Sequence, residues 1–525
     1  MTGFQNTKRC RYDIEQGILV QSQLVIQHDP LLELVLTMHS EVIMPVTQEQ
    51  IGAAFSPKVV AVIGARKADD YSWLRNMRGF RGKLYSVQID PNDIPGIEEM
   101  GVSNYKSLAE IPDQVDYAVI AVPRRVVPFV LKDVIAAGVK TVHMFTSGFS
   151  ETAEEEGREL EATVKKMAED AGILIIGPNC MGVFNADNGM RFIRTQDIDV
   201  SGPVAVIAQS GGHASSLTSA GQQAGVGIHT TISFGNGIIL DSPDLLEYFA
   251  NDPKTKLICA YIEGPKDGKR FFEKLKYAAS KKPVVVWKGG QTEAGQRMAT
   301  SHTGSLAGSM EVWNSMVKQA GAIRADSLEE ALDVMKALAY LDPFTDDGIG
   351  IIGGSGGQSV AMSDSFARHG MRVPRLTEPT LEAMGSFFQL IGASYFNPVD
   401  VGGINRTSME TILDLLGFDP EIGSVGVLIS PMILGGGTGK RTRNTLTKAQ
   451  RSSLEQYKNS KDRVGKPFFG MFWAPVPYKD GKSLELIDEA FQAMGLPIFL
   501  NPERAAGAIS KVIEYYRLHA DLVAK

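Results

Sequence analysis

The chain has 525 residues, of which 43% are hydrophobic and 22% are charged, and its formal net charge at pH 7 is −7. A chain of this length predicts two or three hydrophobic cores of about 100 to 200 residues each. The net negative charge argues against a nucleic-acid partner, and no apolar run is long enough to predict a secretory leader or a membrane span. The three cysteines are widely spaced, which favours a reducing compartment and a cytoplasmic location over a disulfide framework.

The first predicted domain follows residues 1–45, which we interpret as an N-terminal extension of unknown role. A helix start is predicted at Thr47, because Gln50 three residues later completes a capping box. From residue 59 onwards strand and helix patterns alternate, as in VVAVIG, DYAVIAVP and the helix VPFVLKDVIAAG. A charged helix is predicted over 154–171 and should end at Gly172, before the buried strand ILIIGPNC. This alternation predicts a parallel, doubly wound sheet.

The same strand–glycine–helix arrangement occurs twice more, in PVAVIAQSGGHASSL from Pro203 and in GIGIIGGSGGQSV from Gly348. The sequence therefore predicts an α/β protein with three doubly wound domains. Breaker-rich stretches place the domain boundaries so that the domains cover 46–199, 200–343 and 344–525. Gly435–Gly437, which basic residues follow, is predicted to be a mobile loop of the third domain.

Each glycine turn leads from a strand into a helix, where backbone N–H groups and the helix dipole favour an anion. A structural turn without a ligand explains a single such turn equally well, because glycine permits the sharp bend. The first turn, at Gly64 and Ala65, lacks the G-x-G-x-x-G spacing, so an NAD-dependent oxidoreductase is poorly supported. Arg66 and Lys67 follow this turn and either contact a phosphate-rich ligand or are simply solvated.

The eight histidines show no spacing typical of a metal site, so no metal ligands are predicted. His213 follows Ser210-Gly211-Gly212 and should lie in the first turn of a helix, where we expect an exposed side chain. His302 lies among small and hydroxyl residues in MATSHTGSLAG, which predicts a loop that leaves the imidazole unobstructed. A neutral imidazole in such a segment is suited to nucleophilic attack on phosphorus.

Several motifs in one order resemble the NDP-forming acyl-CoA synthetases, the superfamily that includes succinyl-CoA synthetase. They include FSPKVVAVIGA, ILIIGPNCMGVFN, AVIAQSGG, VVWKGGQTEAGQRMATSHTGSLAGS and GGSGG followed by FNPVDVGG. The resemblance runs from about residue 55 to the C-terminus and is strongest to the α subunit of ADP-forming acetyl-CoA synthetase. It implies a Rossmann-like CoA-binding domain followed by two flavodoxin-like ligase domains.

The resemblance also implies a phosphorylated histidine at position 302, which would carry the phosphoryl group between an acyl phosphate and a nucleotide. Glu263, at the end of LICAYIEG, matches the carboxylate that holds this histidine, although a surface glutamate at a strand end would look the same in the sequence. Ser210, Gly211 and Gly212 match the helix start that receives the phosphoryl group.

In the first domain the resemblance implies contacts to CoA from residues at three strand ends. These are Gly64, Ala65 and Arg66 at the nucleotide loop, Val122 and Pro123 beside it, and Ser147 and Gly148 near the pantetheine arm. The chain departs from the family pattern at Ile89 and Asp90, where a lysine is usual. Arg66 or Lys67 is the candidate to replace that lysine.

The three predicted domains contain no ATP-grasp module, so the resemblance implies a separate β subunit that binds ATP and Mg²⁺ and forms a hetero-oligomer with this chain. The implied reaction is acid + CoA + ATP ⇌ acyl-CoA + ADP + phosphate, and the sequence does not select the carboxylic acid. The alternative is a noncatalytic CoA- or acyl-CoA-binding protein of the same fold, which the altered CoA loop favours and the retained His302 and Glu263 oppose.

Overall fold

The structure is a computed structural model, and it describes residues 46–303, 309–388, 394–401, 409–429, 445–446, 448–473 and 481–523. Residues Pro45–Lys525 form one compact unit. The predicted extension, residues 1–45, and the predicted loop at Gly435–Gly437 lie outside the described residues.

The first sheet has six parallel strands. They are β1 (Val59–Ile63), β2 (Lys83–Val87), β3 (Ser103–Tyr105), β4 (Tyr117–Ile120), β5 (Thr141–Met144) and β6 (Leu174–Ile176). Their order β3-β2-β1-β4-β5-β6 is that of a dinucleotide-binding, doubly wound sheet. The helices are α1 (Gln48–Phe55), α2 (Ser72–Asn76), α3 (Ile94–Glu99), α4 (Val127–Ala136) and α5 (Glu155–Ala171).

The second sheet contains five parallel strands and one antiparallel edge strand. The strands are β7 (Gly182–Asn185), β8 (Val204–Ala208), β9 (Ile228–Ser233), β10 (Leu257–Ile262), β11 (Val284–Lys288) and β12 (Ile323–Ala325). In the order β12-β11-β10-β8-β9-β7, strand β7 pairs antiparallel with β9. The helices are α6 (Gly211–Gln223), α7 (Ser242–Asn251), α8 (Gly268–Ala279), α9 (Glu293–Thr303), α10 (Met310–Gln319) and α11 (Leu328–Tyr340).

The third sheet has five parallel strands in the order β14-β13-β15-β16-β17. These strands are β13 (Ile349–Gly353), β14 (Val399–Asp400), β15 (Ser424–Ile429), β16 (Phe468–Phe472) and β17 (Ile498–Phe499). Its helices are α12 (Gly356–Arg368), α13 (Glu378–Gly385), α14 (Met409–Phe418), α15 (Lys448–Val464), α16 (Gly481–Ala493), α17 (Pro502–Leu518) and α18 (Ala520–Val523). The parallel strands of the second and third sheets both follow the 2-1-3-4-5 order of flavodoxin-like folds.

The prediction of three doubly wound α/β domains is confirmed. The first strands of the three repeats, β1, β8 and β13, are rich in β-branched residues and almost completely buried, as is typical of parallel strands covered by helices on both faces. Buried side chains of all three sheets, such as Val62, Val206 and Phe469, belong to one continuous core. The boundary near residue 199 stays a prediction, and strand β7, which precedes it in the chain, belongs to the second sheet.

Local signals at helix ends were predicted correctly. Thr47 Oγ1 accepts from Gln50 N at 3.2 Å and Gln50 Oε1 accepts from Thr47 N at 2.9 Å, which is the reciprocal capping box. Helix α5 ends at Gly172, which adopts a left-handed φ of 63°.

The prediction of a loop at His302 is wrong for the backbone, because α9 continues through Thr303. The residues before the histidine, EAGQRMA, are mostly strong helix formers, and their propensity extends the helix to this point. The glycine that follows, Gly304, lies outside the described residues.

No described helix combines the length and apolarity that a bilayer crossing needs. Cys180 and Cys259 are buried and carry free thiols.

Candidate functional site

One cavity lies where the carboxyl ends of first-sheet strands meet the start of helix α6. Its volume is about 500 Å³. The lining residues are Arg66, Asp69, Ala121, Val122, Pro123, Arg124, Phe145, Thr146, Ser147, Asn179, Cys180, Met181, Gln209, Ser210, Gly211 and Gly212. Ligands of doubly wound sheets bind at this edge of the sheet, so the cavity is the candidate site.

The turn after β1 approaches its neighbouring strand too closely for a side chain. Gly64 has a φ of +88°, and a Cβ atom there would lie 2.6 Å from Val122 Cγ1 and 2.8 Å from Ala121 O. Ala65 is buried beside it. Both therefore shape the wall of the cavity from behind, while Val122 and Pro123 line it directly.

Arg66 supplies a cation at this end of the cavity. Its guanidinium pairs with Asp69 at 3.6 Å and is half exposed. Lys67 is exposed, and its N–H donates to Asp93 Oδ1 at 2.8 Å, so Lys67 contributes a backbone anchor here. Ile89 and Asp90, where the chain departs from the family pattern, are held by Gln88. The side-chain oxygen of Gln88 accepts from their N–H groups at 2.8 and 3.1 Å.

Arg124 is a second cation of the cavity, and no role was predicted for it from the sequence. It forms ion pairs with Glu154 and Glu156, both at 2.8 Å, and donates to Gly148 O at 2.9 Å. These carboxylates, with a smaller opposing effect of burial, raise the pKa of Arg124. The arginine therefore joins the turn after β4 to the turn after β5.

The turn after β5 places Ser147 in the cavity and Gly148 just outside its lining. Glu151 accepts from the N–H groups of Gly148 and Phe149, at 2.5 and 3.1 Å. Asn236, which follows β9 of the second sheet, donates from Nδ2 to Glu151 Oε2 at 2.7 Å. This hydrogen bond ties the turn to the second sheet.

The turn after β8 forms the opposite wall. Ser210 is the N-cap of α6 and its hydroxyl accepts from His213 N at 3.4 Å. Gly211 and Gly212 form the first turn and line the cavity. N–H groups of a first helical turn have no partner within the helix, and the dipole makes this end positive, so the wall is suited to a phosphate group.

Glu263 lies directly after β10 and is only 8% exposed. Its N–H donates to Gln209 Oε1 at 2.8 Å, and Gln209 lines the cavity next to Ser210. Its carboxylate accepts from the Tyr261 hydroxyl at 3.3 Å. Burial, and secondarily the charge of Glu263, raise the pKa of Tyr261, so this phenol stays protonated and donates.

A buried lysine stabilises the main chain around Glu263. Lys288 is 6% exposed, and its ammonium group donates to Glu263 O at 2.5 Å and to Gly289 O. Burial lowers the pKa of Lys288, and the Glu263 carboxylate opposes that shift. The lysine therefore connects the end of β10 with the segment that leads into α9.

His213 lies in the first turn of α6 as predicted, but the expected exposure is wrong. Its ring is packed against Tyr261 and Trp287, with centroid distances of 4.2 and 4.5 Å. The β10–β11 pairing sets Tyr261 opposite Trp287, which creates this aromatic surface. Burial lowers the pKa of His213, so the imidazole is neutral at pH 7.

His302 lies in the last turn of α9, and its side chain lies outside the described residues. In the part of the chain that the structure describes, no cluster of three or more histidine, cysteine, aspartate or glutamate side chains is arranged to hold a metal ion.

The structure thus brings seven predicted residues into one cavity. These are Arg66, Val122, Pro123, Ser147, Ser210, Gly211 and Gly212. No role was predicted for Asn179, Met181, Gln209 or Arg124, although the first three belong to the motifs ILIIGPNCMGVFN and AVIAQSGG.

Two family models match the chain. Residues 58–186 match a CoA binding domain, and residues 201–338 match a succinyl-CoA ligase like flavodoxin domain. The first match covers the first sheet and β7, and the second match covers the other five strands of the second sheet.

Named relatives match over most of the chain. The α subunit of ADP-forming acetate–CoA ligase I from Pyrococcus furiosus is 34% identical over 475 residues, which cover 89% of this chain and 98% of the relative. ADP-forming acetate–CoA ligase I from Archaeoglobus fulgidus is 31% identical over 89% of this chain, which spans 64% of that relative's length.

A solved structure gives the same result. Acetyl-coenzyme A synthetase 1 from Candidatus Korarchaeum cryptofilum, in complex with phosphate and ADP, superposes with a TM-score of 0.75 at 29% identity and covers 90% of this chain and 98% of the other. The resemblance inferred from the motifs is confirmed. The chain belongs to the family of ADP-forming acyl-CoA ligases, and it matches the α subunit of acetate–CoA ligase along nearly that subunit's whole length.

Proposed function

We propose that this chain is the CoA-binding, phosphohistidine-carrying subunit of an ADP-forming acid–CoA ligase. The observation that carries the proposal is the shared cavity: four of the residues predicted to bind CoA and the helix start predicted to bind phosphate line the same space. Family membership supports the use of CoA and of ATP or ADP. A thioester and an acyl phosphate share one acyl carbon, so their interconversion needs a thiol site and a phosphate site side by side.

In the direction of thioester synthesis, the phosphoryl group on His302 passes to the carboxylate of the acid, which gives an acyl phosphate and free imidazole. The CoA thiolate then attacks the acyl carbon, the carbon–oxygen bond to phosphate breaks, and inorganic phosphate leaves. The first turn of α6, at Ser210–Gly212, stabilises the phosphate charge in both steps through its N–H groups and dipole.

Glu263 is the carboxylate that we assign to His302. A carboxylate that accepts the N–H of one imidazole nitrogen fixes the tautomer and makes the other nitrogen a better nucleophile. Glu263 is buried, its main chain is held by Gln209 and Lys288, and Tyr261 holds its side chain, which supports a fixed position. Its hydrogen bond to Gln209, the residue before Ser210, supports a position close to the turn that we propose binds phosphate.

The nucleotide is assigned to a partner chain, a β subunit with an ATP-grasp fold, which together with this chain forms a hetero-oligomer. The naming of the P. furiosus relative as an α subunit supports this division. Mg²⁺ would accompany the nucleotide in the partner. The substrate class is small carboxylic acids.

The test is to purify the protein with its bound chains, add Mg-ATP, and search for phosphate on His302 by mass spectrometry at neutral pH. The expected result is phosphate at His302 when an ATP-grasp chain copurifies, none in His302→Asn, and a strongly reduced amount in Glu263→Gln. A His369→Asn variant, on helix-end residue His369 of the third domain, controls for unspecific loss. Tight CoA binding without phosphate on His302, with a bound partner present, would favour a noncatalytic CoA-binding protein instead.

A further inference from the structure

The acyl group of the proposed reaction must lie between the thiol site and the phosphate site. The segment Asn179–Met181 spans this interval. Asn179 N donates to Thr146 O at 3.0 Å, next to Ser147 at the predicted thiol end. At the other end Met181 Cγ lies 2.8 Å from the position that a Cβ on Gly211 would occupy.

Of the three residues in this segment, Met181 contributes a large apolar side chain to the cavity lining. The Cys180 thiol is buried and donates to the carbonyl groups of Ile176 and Met144, at 3.4 and 3.7 Å, so it is held by the end of the first sheet. Asn179 is polar. Met181 is partly exposed and lines the cavity directly beside the first turn of α6.

The backbone under Met181 is fixed, although its side chain is flexible. Met181 N donates to Ser233 Oγ at 3.1 Å, and β7, which pairs with β9, begins at the next residue. The Met181 side chain lies beside the first turn of α6, because a Cβ added at Gly211 would come within 2.8 Å of Met181 Cγ. Glycine at position 211 thus leaves room for the methionine, and the size of the side chain at position 181 sets how much of the cavity beside this turn stays open.

We propose that Met181 determines the length of the acid's hydrocarbon chain that the enzyme accepts. This inference rests on the proposed function, since it places the acyl carbon beside the first turn of α6. A shorter residue at position 181 admits longer aliphatic acids, and a bulkier one restricts the site towards the shortest.

The inference can be tested on the steps that do not involve a nucleotide. Phosphate attacks an acyl-CoA thioester, the carbon–sulfur bond breaks and CoA leaves as the thiolate. His302 then attacks phosphorus, the phosphorus–oxygen bond breaks and the carboxylate leaves. Incorporation of radioactive phosphate into His302 is measured with acetyl-, propionyl- and butyryl-CoA, using the protein with its bound chains.

The expected result is that Met181→Ala raises the rate with butyryl-CoA relative to acetyl-CoA roughly tenfold, the range for one or two methylenes in an apolar pocket. Met181→Phe should shift the same ratio in the opposite direction, which keeps the test valid if one variant folds poorly. Met167→Ala, a partly buried methionine of α5 outside the cavity, is the matched control and should leave the ratio unchanged.

The outcomes separate the two proposals. If the native protein incorporates phosphate but both Met181 variants keep its acyl-chain ratio, the specificity role is refuted and the proposed function stands. If the native protein incorporates no phosphate with any acyl-CoA while it still binds CoA, the proposed function fails and Met181 loses its role with it.

Discussion

The turn after β1 offers the sharpest test of how the fold shapes the cavity, through the substitution Gly64→Ala. Two separate costs apply at this position. A φ of +88° is unfavourable for any residue with a Cβ, at about 1–2 kcal/mol. The added Cβ would also lie 2.6 Å from Val122 Cγ1 and 2.8 Å from Ala121 O, and overpacking of this kind costs about 1–3 kcal/mol.

A matched control separates the two costs. Gly101, in the same domain, has a φ of +74°, but nothing lies within 4 Å of its Cβ position. Gly101→Ala should therefore carry only the conformational cost. We expect Gly64→Ala to lower the free energy of unfolding by about 2–5 kcal/mol and Gly101→Ala by about 1–2 kcal/mol.

The two variants should differ more in CoA affinity than in stability. Ala121 O belongs to the backbone beside β4, so the clash at Gly64 must displace Val122, which lines the cavity. Urea unfolding followed by circular dichroism measures stability, and isothermal titration with CoA measures binding. Gly64→Ala should weaken CoA binding at least tenfold, while Gly101→Ala keeps the native affinity. Equal losses of stability and unchanged CoA affinity in both variants would refute the reasoning.

Three further predictions concern buried groups. Burial lowers the pKa of His143 to about 4. The free energy of unfolding should therefore fall by about 3 kcal/mol between pH 6.5 and pH 4, where the unfolded chain binds the proton and the folded chain resists it. Urea unfolding midpoints of the native protein and of His143→Gln over this pH range measure the effect, and identical pH profiles would contradict it. Burial raises the pKa of Cys180 to about 12, so its thiol should not react with maleimide at pH 7 until the chain is unfolded. Peptide mapping after labelling measures this, and rapid labelling of the folded protein would contradict it. Arg504 forms an ion pair with Asp333, and burial raises the pKa of this aspartate. Arg504→Ala should lower the free energy of unfolding by about 3 kcal/mol, because it leaves a buried carboxylate without its partner. Arg368→Ala removes an exposed ion pair with Glu503 and should lower it by less than about 1 kcal/mol; equal losses in thermal unfolding would contradict this difference.

The architecture was predictable because its signals are local. A β-branched run, a glycine turn and an amphipathic helix occur three times, and each repeat became a strand, a turn and a helix. The capping box at Thr47 and the helix end at Gly172 were predicted for the same reason. Each of these features depends on residues within one turn of one another.

The site was predictable only in part, since its geometry depends on contacts distant in sequence. Asn236 reaches Glu151 across 85 residues, and the link from Glu263 to Gln209 spans 54. No local pattern encodes these pairs. The prediction of an exposed His213 was wrong for the same reason. The aromatic surface against which its ring packs comes from two strands far along the chain.

At His302 a local signal was instead weighed wrongly. Small and hydroxyl residues suggested a loop, yet the preceding EAGQRMA has strong helix propensity and the backbone is helical through Thr303. The nucleophilic role of His302 was argued in part from that loop. With a helical backbone at this point, the role stays a prediction that rests on the resemblance to the family.

The cavity owes its shape to the place where the chain crosses from one sheet to the next. β6 ends the first sheet at Ile176, and β7 begins at Gly182 on the edge of the second. The five residues between them therefore contact both the turn at Thr146 and the first turn of α6. Under the proposed function the thiol step and the phosphate step share this segment, so a substitution there affects both steps together. A substitution at Gly64 acts from behind the wall formed by Val122 and should weaken CoA binding without changing the phosphate step.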